Sequence, residues 1–469
     1  MSPARPNLLF VFADQMRARD MGCAGNADVP TPSLDRLAAE GIRFRHAVSC
    51  MPVCTPHRAC LLTGRYPQTT GMFLNDLQMS TRETTIAHVL AAAGYATAYV
   101  GKWHLDGSRR WAWTPPGRRR QGFQYWHAVN CDHRDYLDPI YYEDEDRPLR
   151  PRQYCTDHET GVALRYLDRF DRRRPDCDRR PFCLFLSWSP PHNPYHQLPP
   201  RWRDRIDPRS LRLPANTEDT PEHRRDLAGY YAHIGALDDN LGWILGGLEE
   251  RGLAEDTLLV FTSDHGDMLG AQGRYRKQWP WDESVLVPLI LRWPAGFGSG
   301  AVCDILFNSA DYMPTLLHWL AVDPPTGLEG TDLAGAIDGA QAGPPSAFLQ
   351  IMAPFSEQTT DPWRGVRTHR HTYARRREGP WLLYDNRQDP EQLHNLVNEP
   401  AAAPDRQALD AELAQWMARL GDTFDAPATY LARHGYQVDE RGGHIPYTYQ
   451  LPAADWPVQV ATRADEAEG

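Results

Sequence analysis

Residues 7–15 read Asn-Leu-Leu-Phe-Val-Phe-Ala-Asp-Gln, and this stretch decides the fold. Residues 7–13 are an apolar run of strand length without the alternation of a half-exposed strand, so they suit a strand buried on both faces of a parallel sheet. Asp14 and Gln15 follow at its C-terminal end. A second run of the same kind, residues 257–262, is followed closely by Asp264, His265 and Gly266. In open α/β sheets ligands bind outside the C-terminal ends of the strands, so two polar pairs from distant parts of the chain are expected to face one crevice.

Helical segments alternate with these strands. Thr31 is placed to cap a helix in which Pro32 fits the first turn, Leu34, Leu37 and Ala38 supply an apolar face, and Gly41 ends it. Residues 85–93 read as a helix stopped by Gly94, followed by a strand over 96–101. Residues 227–250 carry Tyr231, Ile234, Leu237, Leu241, Ile244, Leu245 and Leu248 at helical spacing, with Gly252 as terminator. The alternation predicts an α/β fold: a doubly wound, mostly parallel sheet flanked by helices. Between Trp111 and Leu213 the pattern breaks into Pro-, Arg-, Tyr- and Trp-rich sequence, interrupted by a strand over 182–188, and reads as insertions around a site. A Pro/Gly/Ala-rich stretch at 323–345 is followed by strand-like pieces at 347–352, 363–368 and 381–384 and a helix at 406–420. The division expected is a catalytic domain over 1–345 and a smaller C-terminal α+β subdomain over 346–469, with a polar tail after Ala461.

Composition removes other classes. The 469 residues are 41% apolar and 10% aromatic, with 15 Trp and 20 Tyr, enough to bury a large core. No stretch of about 18 apolar residues exists, so no membrane span is expected. The run at 8–13 is too short for a signal peptide, and the chain is expected in the cytoplasm. Fifty Lys+Arg against 61 Asp+Glu leave a net charge of −11, which argues against nucleic-acid or anionic-membrane partners. Arg118-Arg119-Arg120 and Arg172-Arg173-Arg174 read as solvated faces. Nine Cys without a Cys-x-x-Cys pair predict neither a zinc site nor disulfides.

Two carboxylates, an amide oxygen and an imidazole, from Asp14, Gln15, Asp264 and His265, would suit a divalent cation. Taken singly, Asp14 or Asp264 equally reads as a turn or cap residue. Cys54-Thr55-Pro56-His57-Arg58 adds weight. Pro56 opens a short helix expected over 56–62, closed by Gly64, which puts Cys54 at a helix N-terminus that attracts anions, with the Arg58 donor fork beside it. A core cysteine is the other reading of Cys54.

Cys54-x-Pro56-x-Arg58, continued by Leu-Leu-Thr-Gly-Arg-Tyr-Pro through Pro67, resembles the motif of the type I sulfatases of the alkaline phosphatase superfamily. Gly101-Lys102-Trp103-His104-Leu105 is similar to that family's lysine–histidine element and Pro191-His192-Asn193-Pro194 to its second histidine. The segment 273–277, with Glu283-Ser284 and Val287-Pro288-Leu289, is similar to its late lysine segment. Asp14 and Asp264-His265-Gly266 fall where the family's metal ligands lie. The resemblance runs over roughly residues 5–400.

It implies hydrolysis of sulfate monoesters, on a sulfated carbohydrate or small polar alcohol. A maturation enzyme would oxidise Cys54 to formylglycine, whose hydrate is the nucleophile. The metal would be held by Asp14, Gln15, Asp264, His265 and residue 54. Lys102 and Lys277 would bind sulfate oxygens, Arg58 would hold the formylglycine, His192 and Lys277 would protonate the leaving oxygen, and His104 would deprotonate the remaining hydroxyl as sulfate leaves. Many family members have two adjacent aspartates where this chain has Asp14-Gln15, which removes one negative charge. Calcium is the implied ion, with manganese the alternative that His265 and Gln15 leave open. Trp111, Trp113, Trp126, Tyr136, Tyr141 and Tyr142 are candidates for stacking on a sugar. Two further readings stand beside this one: a phosphonate monoester hydrolase or phosphodiesterase of the same superfamily, and a non-catalytic anion-binding homologue.

Overall fold

The structure is a computed structural model that describes residues 5–132, 135–353 and 361–438. The apolar run becomes strand β1 (Asn7–Asp14), every residue of it buried. Its period of two divides the core: Leu8, Phe10 and Phe12 point into one apolar cluster, Leu9, Val11 and Ala13 into another on the opposite face. Seven further strands join it: β2 (Ile42–Val48), β3 (Ala96–Lys102), β4 (Tyr125–Val129), β5 (Phe182–Pro191), β6 (Thr257–Ser263), β7 (Leu289–Arg292) and β8 (Ala301–Asn308). Their order is β4-β3-β5-β1-β6-β7-β2-β8. All neighbours run parallel except β7, which is antiparallel to both β6 and β2.

One face is covered by the long helix Pro221–Glu250, whose Ile234, Leu237, Leu241 and Ile244 are fully buried. The other face packs the helix Cys54–Thr63, the helix Tyr312–Trp319 and a second sheet. That sheet is antiparallel, with β9 (Ala347–Ile351), β10 (Trp363–Arg367), β11 (His371–Arg376) and β12 (Gly379–Asp385) in the order β12-β11-β10-β9. Trp363, Val366 and Tyr373 from it share the apolar cluster of Leu8 and Phe10. It also braces the late lysine segment, since Trp363 Nε1 donates to the Gln278 carbonyl at 2.9 Å and Arg367 pairs with buried Asp282 at 3.1 Å.

Several expectations change. Thr31 stands at the start of the helix Pro32–Ala39 without capping it; its hydroxyl accepts from Gly22 N and donates to Asp35. The free N–H groups of Ser33 and Leu34 are instead taken by Asp238 of the long helix, at 3.0 and 2.8 Å, a cap delivered by tertiary packing. The region 111–213 holds more order than its composition suggests: β4 forms an edge of the main sheet, and the helix Cys155–Leu167 packs on it from one side. Arg120 is buried rather than solvated, stacked on Trp126 and paired with Asp144 at 2.6 Å. Trp126, Tyr136, Tyr141 and Tyr142 are core residues, which leaves Trp111 and Trp113 as the partly exposed aromatics of the six. The tail after Ala461 lies outside the described residues. No helix among those described is long and apolar enough to cross a membrane.

Candidate active site

β1 and β6 pair in register from Asn7 opposite Thr257 to Ala13 opposite Ser263, so the residues that follow them emerge side by side. The Gln15 N–H donates to Asp264 Oδ1 at 3.1 Å and locks the two strand ends together. Asp14, Gln15, Asp264 and His265 are all fully buried. His265 Nδ1 lies 2.9 Å from the Gly266 carbonyl, which assigns a proton to Nδ1 and turns Nε2 inward.

The helix carrying Cys54 begins at Cys54 itself, two residues earlier than its proline suggests, and ends on Gly64 at φ 64° with Gly64 N bonded to the Cys60 carbonyl. All ten of its residues are buried. The Cys54 sulfur therefore projects from the first helical turn into the crevice. Lys277 Nζ lies 2.9 Å from it, His265 Nε2 3.3 Å, Lys102 Nζ 3.6 Å and Asp14 Oδ1 3.8 Å. Ligand atoms of Asp14, Cys54, Asp264 and His265 all fall within 4.8 Å of one another.

Cations thread this cluster. Arg58 bridges both carboxylates, at 3.3 Å to Asp14 and 3.1 Å to Asp264, while its other nitrogen donates to the Lys102 carbonyl and Ser187. Lys102 is ion-paired with Asp14. Burial alone would raise the Asp14 carboxyl, but Lys102, His192, Lys277 and Arg58 outweigh it and hold it well below the usual range. Burial and the neighbouring Asp14 push Asp264 the other way, upward. Burial and Asp14 also oppose ionisation of the Cys54 thiol, yet Lys102, Lys277 and His265 bring it well below the ordinary cysteine value. The cluster thus stabilises negative charge at position 54.

Two histidines flank the sulfur. His104 follows β3 with a left-handed backbone (φ 58°) and its Nε2 meets Asp76 Oδ1 at 2.9 Å; Asp76 is itself held by Arg110 at 2.9 and 2.8 Å. Burial favours the neutral ring, but the neighbouring Cys131 and the bond to Asp76 raise His104 to about 10. His192 follows β5, with Nδ1 2.7 Å from the Asn193 carbonyl and Nε2 3.4 Å from Lys277 Nζ. Burial and Lys277 press it well below the ordinary histidine value. Gln15, Arg276 and Gln278 share the left-handed backbone of His104, at φ 73°, 61° and 78°. Such conformations cost of order 1–3 kcal/mol each and persist only where the surroundings impose them.

Asp14, Gln15, Cys54, Arg58, Lys102, His104, His192, Asp264, His265 and Lys277 thus come together in one crevice. Asp76, Arg110, Cys131, Tyr195 and Asp267 join them without a motif to announce them. The nearest sequence signal was an Asn75-Asp76 pair in a loop, which is indistinguishable from a turn.

Comparison with known proteins gives two family matches. A sulfatase family matches residues 6–322, and the C-terminal family of N-sulphoglucosamine sulphohydrolase matches residues 270–419. An ulvan-active sulfatase of Formosa agariphila is 40% identical, covering 95% of this chain and 87% of its own length. An N-acetylglucosamine-6-O-sulfatase of Bacteroides thetaiotaomicron is 26% identical over 86% of this chain and 85% of its own. Among solved structures, one in complex with its substrate D-glucosamine-2-N,6-O-disulfate superposes with a TM-score of 0.80 at 24% identity, covering 90% of this chain and 99% of that one, a likeness of fold.

Proposed function

The chain belongs to the sulfatase family and is a sulfuric ester hydrolase, and from that premise we propose that it removes sulfate from a saccharide monoester with residue 54, oxidised from cysteine to formylglycine, as nucleophile. The observation that carries this is the placement of Cys54 Sγ, at the head of a buried helix, between Lys277 and Lys102 and against His265. A cysteine serving only the core would not collect two ammonium groups. Once matured by a separate enzyme, residue 54 supplies the hydroxyl that attacks sulfur.

The donor set fits a divalent cation. Asp14 and Asp264 offer carboxylate oxygens, His265 offers Nε2, and Gln15 Oε1 is buried without a hydrogen-bond partner. Three oxygen donors favour calcium, and the imidazole admits manganese. When bound, the cation supplies Lewis-acid stabilisation of sulfate oxygens and of the nucleophile.

Lys102 and Lys277 grip the equatorial sulfate oxygens, where negative charge is densest. Arg58 keeps Asp14 and Asp264 in place and fixes the helix that presents residue 54. The Lys277 ammonium would give its proton to the leaving oxygen, with His192, neutral beside it, holding that proton through Nε2 at 3.4 Å from Nζ. His104, whose Nδ1 is buried and unpaired, is placed to take the proton released when residue 54 expels sulfate, a step that requires the ring to be neutral at that point of the cycle. The ulvan-active and N-acetylglucosamine-6-O-sulfatase relatives support a saccharide as the alcohol, with Trp111 and Trp113 the partly exposed rings available to stack on it.

The test is a substrate panel run on protein whose formylglycine content has been measured by peptide mass analysis at residue 54. Saccharide sulfates are expected to show the highest kcat/KM. A phosphonate monoester or phosphodiester that outranks every sulfate would overturn the assignment. Chelation should suppress turnover and added calcium should restore it; a metal-free protein with unchanged rate would remove the cation from the reading.

A further inference from the structure

Asp267 is fully buried three residues beyond Asp264, and no step of the proposed reaction uses it. Its carboxylate accepts four hydrogen bonds. Oδ1 takes the backbone N–H of Leu269 at 3.1 Å and of Arg276 at 2.8 Å, and Oδ2 takes the Tyr195 hydroxyl at 2.5 Å and Gln15 Nε2 at 2.6 Å. A carboxylate has about four acceptor sites, so this one is saturated with donors. Three segments meet on it: the Gln15 turn after β1, the loop that carries His192 and Tyr195, and the Arg276 turn that leads into Lys277.

The consequence falls on Gln15. An amide has a donor end and an acceptor end, and the choice between them is set by its partners. Asp267 can only receive, so it takes the NH₂ end and forces Oε1 to the other side. Oε1 is buried and makes no hydrogen bond. A buried carbonyl oxygen left unpaired is destabilising unless a donor or a cation is there to meet it. Gln15 directly follows Asp14, and its own N–H binds the Asp264 carboxylate. Burial and Asp267 also push the Tyr195 hydroxyl upward, which keeps it a donor.

We propose that Asp267 is a positioning residue that orients the Gln15 amide, so that its oxygen, and not its NH₂, is presented to the divalent cation. Gln15 then serves as a neutral oxygen ligand whose orientation is set by a carboxylate outside the site. The inference rests on the metal assignment made under the proposed function.

Calcium and, separately, manganese titration of the chelator-treated full-length protein by calorimetry tests it, with a thermal melt of each metal-free variant as the check on folding. In Asp267→Asn the side-chain oxygen can still accept from Leu269 and Arg276, while the new NH₂ faces Gln15 and turns the amide around. Metal affinity should fall by about 10- to 100-fold, as is usual when an outer partner of a ligand is lost. The same substitution in a Gln15→Ala background should cost little further, because the residue it acts through is gone. The exchanged pair, Gln15→Glu with Asp267→Asn, restores one carboxylate and one amide in swapped places and should bind at least as tightly as the native protein. Equal losses from Asp267→Asn with and without Gln15, or failure of the exchanged pair to recover, overturns the inference. Should Asp267→Asn alone not fold, the exchanged pair decides. A native protein that binds neither ion overturns the metal assignment and this inference together, whereas binding with additive losses overturns this inference alone.

Discussion

His104 and His192 stand on either side of residue 54, and their surroundings set them in opposite states. His104 is backed by Asp76 and Arg110 and lies beside the sulfurs of Cys54 and Cys131, and it is raised to about 10. His192 faces the Lys277 ammonium, bonds a backbone carbonyl through Nδ1, and is pressed well down. With Cys54 unoxidised, one residue type is thus a cation on one side of the crevice and a neutral ring on the other. The difference teaches that the roles follow from the neighbours: a carboxylate behind one ring, an ammonium in front of the other. It also leaves His192 the deprotonated partner in the pair proposed to serve the leaving oxygen, where the resemblance implied both as donors.

The harshest way to break the comparison is to remove what lies between the rings. Cys54→Ala should abolish turnover while circular dichroism stays native, and NMR titration should find His104 below its native value. Full activity in that variant would end the mechanism.

Next comes the proton-donating side. Lys277→Ala and His192→Ala should each slow saccharide sulfates by about a hundredfold to ten-thousandfold, the usual range for general-acid contributions. Aryl sulfates with good leaving groups should be hurt far less. Lys102→Ala should damage both classes alike, since it grips sulfate rather than the leaving oxygen. Equal losses on both classes for His192→Ala would leave that ring a binding residue.

A smaller effect is expected behind His104. Asp76→Asn takes away its carboxylate and should lower kcat by roughly tenfold while His104 titrates nearer the ordinary value close to 6.5, by the charge-pair argument above. Arg110→Ala, one step further out, should do less of the same.

The slightest effects are in stability, and they should have opposite signs. His104 binds its proton more tightly folded than unfolded. Its contribution is full below about 6.5 and is lost as pH rises through about 10. His192 binds its proton less tightly folded, so its contribution is present above about 6.5 and is lost as pH falls. Denaturant midpoints measured from pH 5 to 10 should therefore flatten on the alkaline side in Asp76→Asn and on the acid side in His192→Gln. A flattening on the same side in both would contradict the opposed states.

Much of this was legible in the chain. β1 and β6 announce themselves because a strand buried on both faces must be apolar throughout, and polar residues at its end have only the crevice to enter. Pro56, Gly64 and Arg58 mark the short helix that lifts Cys54 into it. Other features were not legible. Arg120 looked solvated because an arginine run carries no sign that Trp126 will stack on one member and Asp144 will pair with it. β4 was hidden in aromatic and polar residues, since an edge strand need not be apolar throughout. Asp238 caps a helix 205 residues away, a partnership that no local rule contains.

Local pattern, by itself, determined the α/β class, the strand ends, the residue types needed for sulfate chemistry and the cysteine at their centre. Those depend on periodicity, caps and short motifs, which neighbouring residues carry. Only the tertiary structure decided the charge on each histidine, the anionic bias at residue 54 and which end of the Gln15 amide faces inward. Those depend on partners far along the chain, Asp76 28 residues before His104 and Asp267 252 residues after Gln15, because proton affinity and hydrogen-bond direction are set by what lies within a few ångströms in space.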